Sequence, residues 1–212
     1  GDWSSDVCSS DLPTVMGFIT RSDNGGGDTP FDASALVEEG VLTFDMKVTS
    51  APNNSESVWK VKLESDGGAS ALEIDITTSS QGVAPSTGQW QTYSFPIKAL
   101  ADGGLDVSAI DVVMIFPAWG TGEGAVYRVD NAKFHNPNAG TGNPPANGLT
   151  LFADDAADKW SIWDCCGGST PTIETDDEAH GQVAEFIIGA APTVMGFLAD
   201  DKDRKSTRLN SR

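Results

Sequence analysis

The chain has 212 residues and a formal net charge of −18, which is enough chain for one domain with a sizeable core. This charge argues against nucleic acid and anionic membranes as partners, because both would repel it. No apolar stretch is long enough to cross a bilayer, and three cysteines are too few for a disulfide framework. The acidity suits a secreted protein or cation binding, and equally an ordinary solvated surface.

One hexapeptide, PTVMGF, occurs twice, at Pro13–Phe18 and at Pro192–Phe197. The two copies are 179 residues apart. A period of this length corresponds to a whole domain, not to a solenoid repeat. The sequence therefore predicts the back of one domain copy, a linker and the front of the next copy.

Both ends of the chain are interpreted as foreign. The segment DWSSDVCSSDL, Asp2–Leu12, back-translates to a DNA string whose reverse complement encodes DRKSTRLNS, Asp203–Ser211. This pair resembles a sequencing-library adapter read through on both sides of an insert. Residues 1–12 and 203–212 are therefore predicted to be adapter-derived tails and are kept out of the fold prediction.

The first part of the insert, 13–136, reads as a series of short strands. Apolar and polar residues alternate in several of them, whereas AIDVVMIFPAW is apolar on both faces, which is typical of a central buried strand. The region 31–40 predicts a helical turn or a loop, and 98–108 a loop with one helical turn. The predicted strands are 13–20, 41–50, 58–65, 71–79, 88–97, 109–119 and 125–134.

The second part follows a linker at 137–148, which is rich in Asn, Gly and Pro. Strands are predicted at 149–155, 172–177, 182–189 and 192–200, with a long aromatic and glycine loop at 156–171. Many short strands with Gly, Asn and Asp turns indicate a β-sandwich.

The segment 149–191 is predicted to fold onto 13–136, which gives a circularly permuted sandwich. The domain copies would then be 13–136, the C-terminal part of the first, and 149–202, the N-terminal part of the second. Two copies of PTVMGF would compete for one strand position. Either one copy is displaced, or neighbouring molecules exchange strands as a strand-swapped dimer.

Three long strings carry a family resemblance: FDASALVEEGVLTFDMKV, GQWQTYSFPIKALADGGLDVSAIDVVMIFPAWGTGEGAVYRVDN and WDCCGGSTPTIETDDEAHGQVAEF. They resemble the galactose-binding-like β-sandwich domains of secreted bacterial glycoside hydrolases, such as the C-terminal domain of ExoP-type exo-β-glucanases and similar domains on marine laminarinases and agarases. The resemblance implies a jelly-roll sandwich in a secreted protein. It also implies a carbohydrate-binding or enzyme-supporting role without catalysis in the domain.

Three tryptophans are candidates for sugar binding. Trp119 lies in PAWGTGEG, where a buried strand is predicted to end, and an indole there offers a flat apolar face to a sugar ring. Trp160 and Trp163 are predicted to extend the same platform if the chain is permuted. The alternatives are that Trp119 caps one end of the sandwich and that Trp160 or Trp163 belongs to the core. Trp59 and Trp90 are predicted to be core residues.

Three aspartates are candidates for a structural calcium site. The resemblance implies that an aspartate on the last strand, here Asp130, joins oxygens from the first strand, which ends at Asp154 and Asp155. Oxygen ligands from adjoining strands suit calcium. The alternative is a set of surface carboxylates without a metal.

The remaining reactive residues leave open questions. Cys165 and Cys166 are adjacent and could form a vicinal disulfide or remain free thiols. His135 and His180 match no metal-ligand spacing and are predicted to lie at the surface.

The preferred function is therefore a non-catalytic carbohydrate-binding module for a β-glucan or a related marine polysaccharide. Its partners would be the polysaccharide and the catalytic domain of a parent hydrolase. The alternative is a structural module that packs on that catalytic domain without binding sugar. An enzyme is the third hypothesis, but the chain has no recognisable catalytic motif, and acidic pairs are non-specific in so acidic a sequence.

Overall fold

A computed structural model describes residues 30–139, 147–156, 160–165, 171–189 and 194–199. The first PTVMGF copy, both tails, Cys166 and part of the linker lie outside these residues. One α-helix, α1 (Ile97–Asp102), and two short 3₁₀ turns, Ser34–Leu36 and Ile76–Thr78, are found in the described ranges. No helix among them is both long and apolar enough to span a membrane.

Almost all other regular structure in these ranges is β-strand. The strands are β1 (Val41–Ser50), β2 (Trp59–Ser65), β3 (Ser70–Asp75), β4 (Trp90–Pro96), β5 (Ile110–Pro117), β6 (Val126–His135), β7 (Leu149–Ala153), β8 (Asp155–Ala156), β9 (Trp160–Cys165), β10 (Thr172–Thr175), β11 (Gln182–Ile187) and β12 (Val194–Ala199).

The described strands form two antiparallel sheets. The sheet that contains β1, here the β1 sheet, has the order β10-β11-β6-β1-β4. β11 pairs with the first half of β6 and β7 with its second half, and β8 pairs with β7. The sheet that contains β5, here the β5 sheet, has the order β3-β2-β5-β12-β9. Strands from the region 149–199 therefore complete both sheets.

The two sheets pack face to face around one hydrophobic core, so the described fold is a β-sandwich. On β1, the predicted alternation is confirmed, because Leu42, Phe44, Met46 and Val48 are buried. Every residue of β5 is buried, as predicted for a central strand. The rings of Trp59 and Tyr127, one from each sheet, meet at 4.9 Å.

Three expectations differ from the structure. The predicted strand 71–79 ends at Asp75, and Ile76–Thr78 forms a 3₁₀ turn. Part of the predicted loop 156–171 forms strand β9, which pairs with β12 along its whole length. Trp90 is half-buried and lies opposite Lys47 on the outer face of the β1 sheet, not in the core. Tyr93 and Phe95 point inward, and since side chains alternate along a strand, the even-numbered Trp90 must point outward.

Candidate functional site

Trp119 is half-buried and lies two residues beyond the end of β5. The turn that carries it is closed by hydrogen bonds from the Thr121 N–H and hydroxyl to the Ala118 carbonyl, at 3.0 and 2.7 Å. Gly120 in this turn has a φ of 71°, a conformation that glycine adopts without strain. The backbone around the indole is therefore well defined.

The indole itself is held from two sides. Its Nε1 donates a hydrogen bond to Oε2 of Glu73 at 3.1 Å. Its ring lies 4.6 Å from the ring of Phe116, at an interplanar angle of 52°. Ile115 belongs to the core, so the neighbouring Phe116 points to the outer face of the β5 sheet. Trp119 thus lies against that outer face.

Hydrogen-bonding side chains lie on the same face of the β5 sheet. Glu73 is exposed and stands opposite Lys62 in the register of β2 and β3. Lys60 stands opposite Phe116 and forms a salt bridge with Asp75 at 3.1 Å. An aromatic plane next to carboxylates and an ammonium group can stack on the apolar face of a sugar and bind its hydroxyls.

Of the other two predicted tryptophans, Trp160 does not extend this surface. Trp160 is only 5% exposed and belongs to the core, which is the alternative role that the sequence left open. It lies near the start of β5, because Ser161 stands opposite Leu198 and Leu198 opposite Val112, whereas Trp119 follows the end of β5. The backbone of Trp163 stands opposite Gly196, and its side chain lies outside the described residues.

The structure brings Asp130 and Asp154 together. Asp130 is 3% exposed, and its Oδ1 has no hydrogen-bond partner among the described residues. Burial raises the pKa of Asp130, and hydrogen bonds from the backbone N–H groups of Asn131 and Asp154 act in the opposite direction. Asp154 has a φ of 61°, and its Oδ1 accepts the Gln182 N–H at 3.0 Å.

These contacts meet only part of what a calcium site requires. The orphaned oxygen of Asp130 beside a second aspartate suits a cation. Asp155 begins β8, opposite Ala153. However, the described residues contain no group of three or more His, Cys, Asp or Glu side chains placed to hold a metal ion. The calcium site therefore stays a prediction.

A second polar cluster lies on the outer face of the β1 sheet and was not predicted. Trp90 stacks on His180 with ring centroids 3.9 Å apart. The carboxylate of Asp176 accepts hydrogen bonds from Lys47, Arg128 and the Trp90 indole. These groups neutralise and cover one another. The cluster therefore fixes the loop between β10 and β11 onto the sheet.

Comparison of the chain with protein-family profiles, curated proteins and solved structures finds no match.

Proposed function

We propose that the chain is a non-catalytic carbohydrate-binding module, with a β-glucan or a related marine polysaccharide as ligand, from a secreted polysaccharide-degrading enzyme. The observation that supports it is the orientation of Trp119, whose N–H is bound to Glu73 and whose ring leans on Phe116. An indole held in this way loses little conformational entropy when a sugar ring stacks on it.

One aromatic platform gives weak binding at each site. A polymer offers many equivalent sugars, and tandem copies of a module raise the apparent affinity through effective concentration. The repeated hexapeptide supports a tandem arrangement in the longer protein. Glu73, Lys60 and Asp75 are the proposed hydrogen-bonding partners of the sugar hydroxyls.

Affinity electrophoresis in gels that contain laminarin, agarose, mixed-linkage glucan or xylan tests the proposal. We expect one polymer to retard the chain and Trp119→Ala to weaken its retention about tenfold or more, since stacking contributes roughly 1.4 kcal/mol. Trp90→Ala is the matched control, because it removes the same ring from the outer face of the other sheet. Equal losses in two folded variants would contradict the assignment to Trp119.

The same gels, run with and without a calcium chelator, test the second proposal, that Asp130 and Asp154 contribute to a structural calcium site. Loss of retention on chelation, restored by added calcium, is the expected outcome. Unchanged retention together with an unchanged unfolding temperature would remove calcium from the proposal.

The second candidate function is a structural module that packs on a catalytic domain. The sequence resemblance supports it, because it implies an enzyme-supporting role as the alternative to sugar binding. Val58, which is 47% exposed and whose carbonyl accepts the Ala118 N–H, adds an apolar side chain next to Trp119. A folded chain that none of the four polymers retards would favour this candidate.

A further inference from the structure

The β12 position takes a strand whose sequence the chain carries twice. β12 lies between β5 and β9 in the β5 sheet. Gly196, Phe197 and Leu198 stand opposite Met114, Val113 and Val112 of β5, and all six residues of β12 stand opposite residues of β9. The strand contains VMGF of the second hexapeptide, and the same four residues occur at 15–18.

Two residues of the hexapeptide determine what this position accepts. A Cβ atom on Gly196 would collide with the Val113 carbonyl oxygen and lie 2.7 Å from the Cα of Met114. Phe197 is fully buried, and its ring lies 6.1 Å from that of Phe152 and 6.2 Å from that of Phe186. The first copy has Gly17 and Phe18 at the same two places, so it meets both requirements.

The chain also tethers the first copy close to this position. Phe31 exchanges two backbone hydrogen bonds with Ile110, at 2.7 and 2.9 Å. Ile110 lies two residues from Val112 on β5, a distance of about 7 Å along a strand. The intervening segment 20–30 has eleven residues and reaches up to about 36 Å when extended. A first copy in the β12 position could therefore connect to Phe31 without displacing it.

We infer that the position between β5 and β9 is a strand-binding site with two competing occupants from the same chain, Val194–Leu198 and Val15–Ile19. The two segments differ only in Ile19 against Leu198. Exchange of Leu for Ile changes packing little, so we expect the two occupied states to be populated within about tenfold of each other.

Disulfide trapping distinguishes the two occupants. Cys165 stands opposite Val194 in the register of β9 and β12, so it would stand opposite Val15 when the first copy is bound. Opposite residues of antiparallel strands have Cα atoms about 4.5–5.5 Å apart, which a disulfide can bridge. The full chain carries Cys8→Ser and Cys166→Ser, with either Val194→Cys or Val15→Cys, and bridges formed by mild oxidation are mapped by mass spectrometry.

Both variants should form an intramolecular bridge to Cys165, with yields within about tenfold of each other. A bridge in the Val194→Cys variant alone would overturn the inference. A bridge from Val15→Cys to Cys165 of another molecule would overturn the same-chain occupant and indicate strand exchange between two copies.

Glycine variants test the redundancy by a different measurement. Gly196→Val should exclude the second copy and raise the yield of the Val15→Cys bridge, while the chain stays folded. Gly17→Val should abolish that bridge and leave the Val194→Cys bridge intact. The double variant should lose the cooperative unfolding transition. If Gly196→Val alone unfolds the chain as fully as the double variant does, the first copy cannot occupy the position.

Discussion

At the scale of single residues, two buried tyrosines differ in how their hydroxyl groups are satisfied. The Tyr127 hydroxyl donates a hydrogen bond to the Ile115 carbonyl and so connects β6 to β5 across the core. The Tyr93 hydroxyl is buried without a hydrogen-bond partner among the described residues. Burial raises the pKa of Tyr93 to about 12. One hydroxyl therefore stabilises the fold, whereas the other carries a desolvation cost.

Replacement of each tyrosine by phenylalanine should give opposite results. Tyr127→Phe removes the hydrogen bond to the Ile115 carbonyl and should lower the free energy of unfolding by about 1 kcal/mol. Tyr93→Phe removes an unsatisfied group and should be neutral or stabilising by up to about 1 kcal/mol. Urea unfolding of both variants measures the difference. An equal loss in the two variants would reveal a partner for the Tyr93 hydroxyl.

The tryptophans show which residue positions the sequence could predict. Trp59 is buried because it continues the alternation of Val61 and Leu63 on β2. Trp90 is out of phase with Tyr93 and Phe95, and this parity was the available signal for its outward direction. Its stacking on His180 could not be predicted, because the contact joins residues 90 positions apart and depends on how a loop folds over the sheet.

At the scale of elements, the loop between β10 and β11 is fastened to the β1 sheet by Asp176. The side chain of Asp176 is 4% exposed, and the carboxylate binds Lys47 and Arg128 on two neighbouring strands. Burial on its own would raise the pKa of Asp176, but the hydrogen bonds from Arg128 and Lys47 outweigh it and hold the pKa well below its usual range.

Asp176→Asn should therefore destabilise the chain in a pH-dependent way. At pH 7 it removes the carboxylate that Lys47 and Arg128 share, although Arg128 keeps its ion pair with Glu185, and we expect a loss of about 2 kcal/mol. Because the folded pKa is below the unfolded value of about 3.9, the contribution of Asp176 is complete above about pH 5 and is lost as the pH falls. The free energy of unfolding should thus fall more steeply between pH 5 and 3 in the wild type than in the variant.

Other carboxyl groups also make the stability depend on pH. Burial raises the pKa of Asp130 and Glu64, which makes folding more favourable on acidification, but both groups are present in the wild type and the variant, so their contribution cancels in the comparison. Asp102→Asn removes the partner of Lys98 in a pair whose side chains are more than half exposed, and it should change the stability by less than about 0.5 kcal/mol. Parallel pH profiles for wild type and Asp176→Asn would contradict the assignment.

The strand predictions are confirmed where a single hydrophobic pattern, either alternating or continuous, extends over the whole strand. β1 has the bounds that its alternation predicts, and β5 is buried on both faces as its apolar run predicts. The sequence predicts a loop in place of β9, because its six residues are followed by Cys166 and two glycines, which are typical of turns. Its strand conformation depends on pairing with β12, and single-segment patterns do not contain that information.

At the scale of the whole molecule, the pairing of the strands differs from their order in the chain. β7 and β11 share one edge of β6, and β12 lies beside β5, so the region 149–199 completes both sheets formed by the region before the linker. This pairing is the one that the predicted circular permutation requires, whereas the jelly-roll and galactose-binding-like assignments stay predictions from the sequence resemblance. The repeated hexapeptide supplies the point at which the two parts can be rejoined.

A rearranged chain tests the permutation. Residues 149–191 are placed before residues 13–139, so that Ala191 precedes Pro13 and the junction again reads AAPTVMGF. In this chain the linker 137–148 no longer connects the two parts, and the segment 20–30 closes the loop between them instead. The two segments have nearly the same length, so the entropy of loop closure should change little. We expect the rearranged chain to unfold cooperatively, with a free energy of unfolding within about 1 kcal/mol of the original value.

The matched control for this rearrangement is a second rearranged chain, which begins at Met114 and ends at Val113, so that the cut falls inside β5. Its original ends are joined by a copy of the linker 137–148. The cut interrupts a strand whose eight residues are all buried and whose backbone groups pair on both sides. Unpaired backbone groups in such a place cost more than the marginal stability of a domain supplies, so this chain should not fold. If both rearranged chains fold, the folding of the first one is not evidence that the two parts join at the hexapeptide. If neither does, the region 149–199 requires its present connection, and the proposed domain order is wrong.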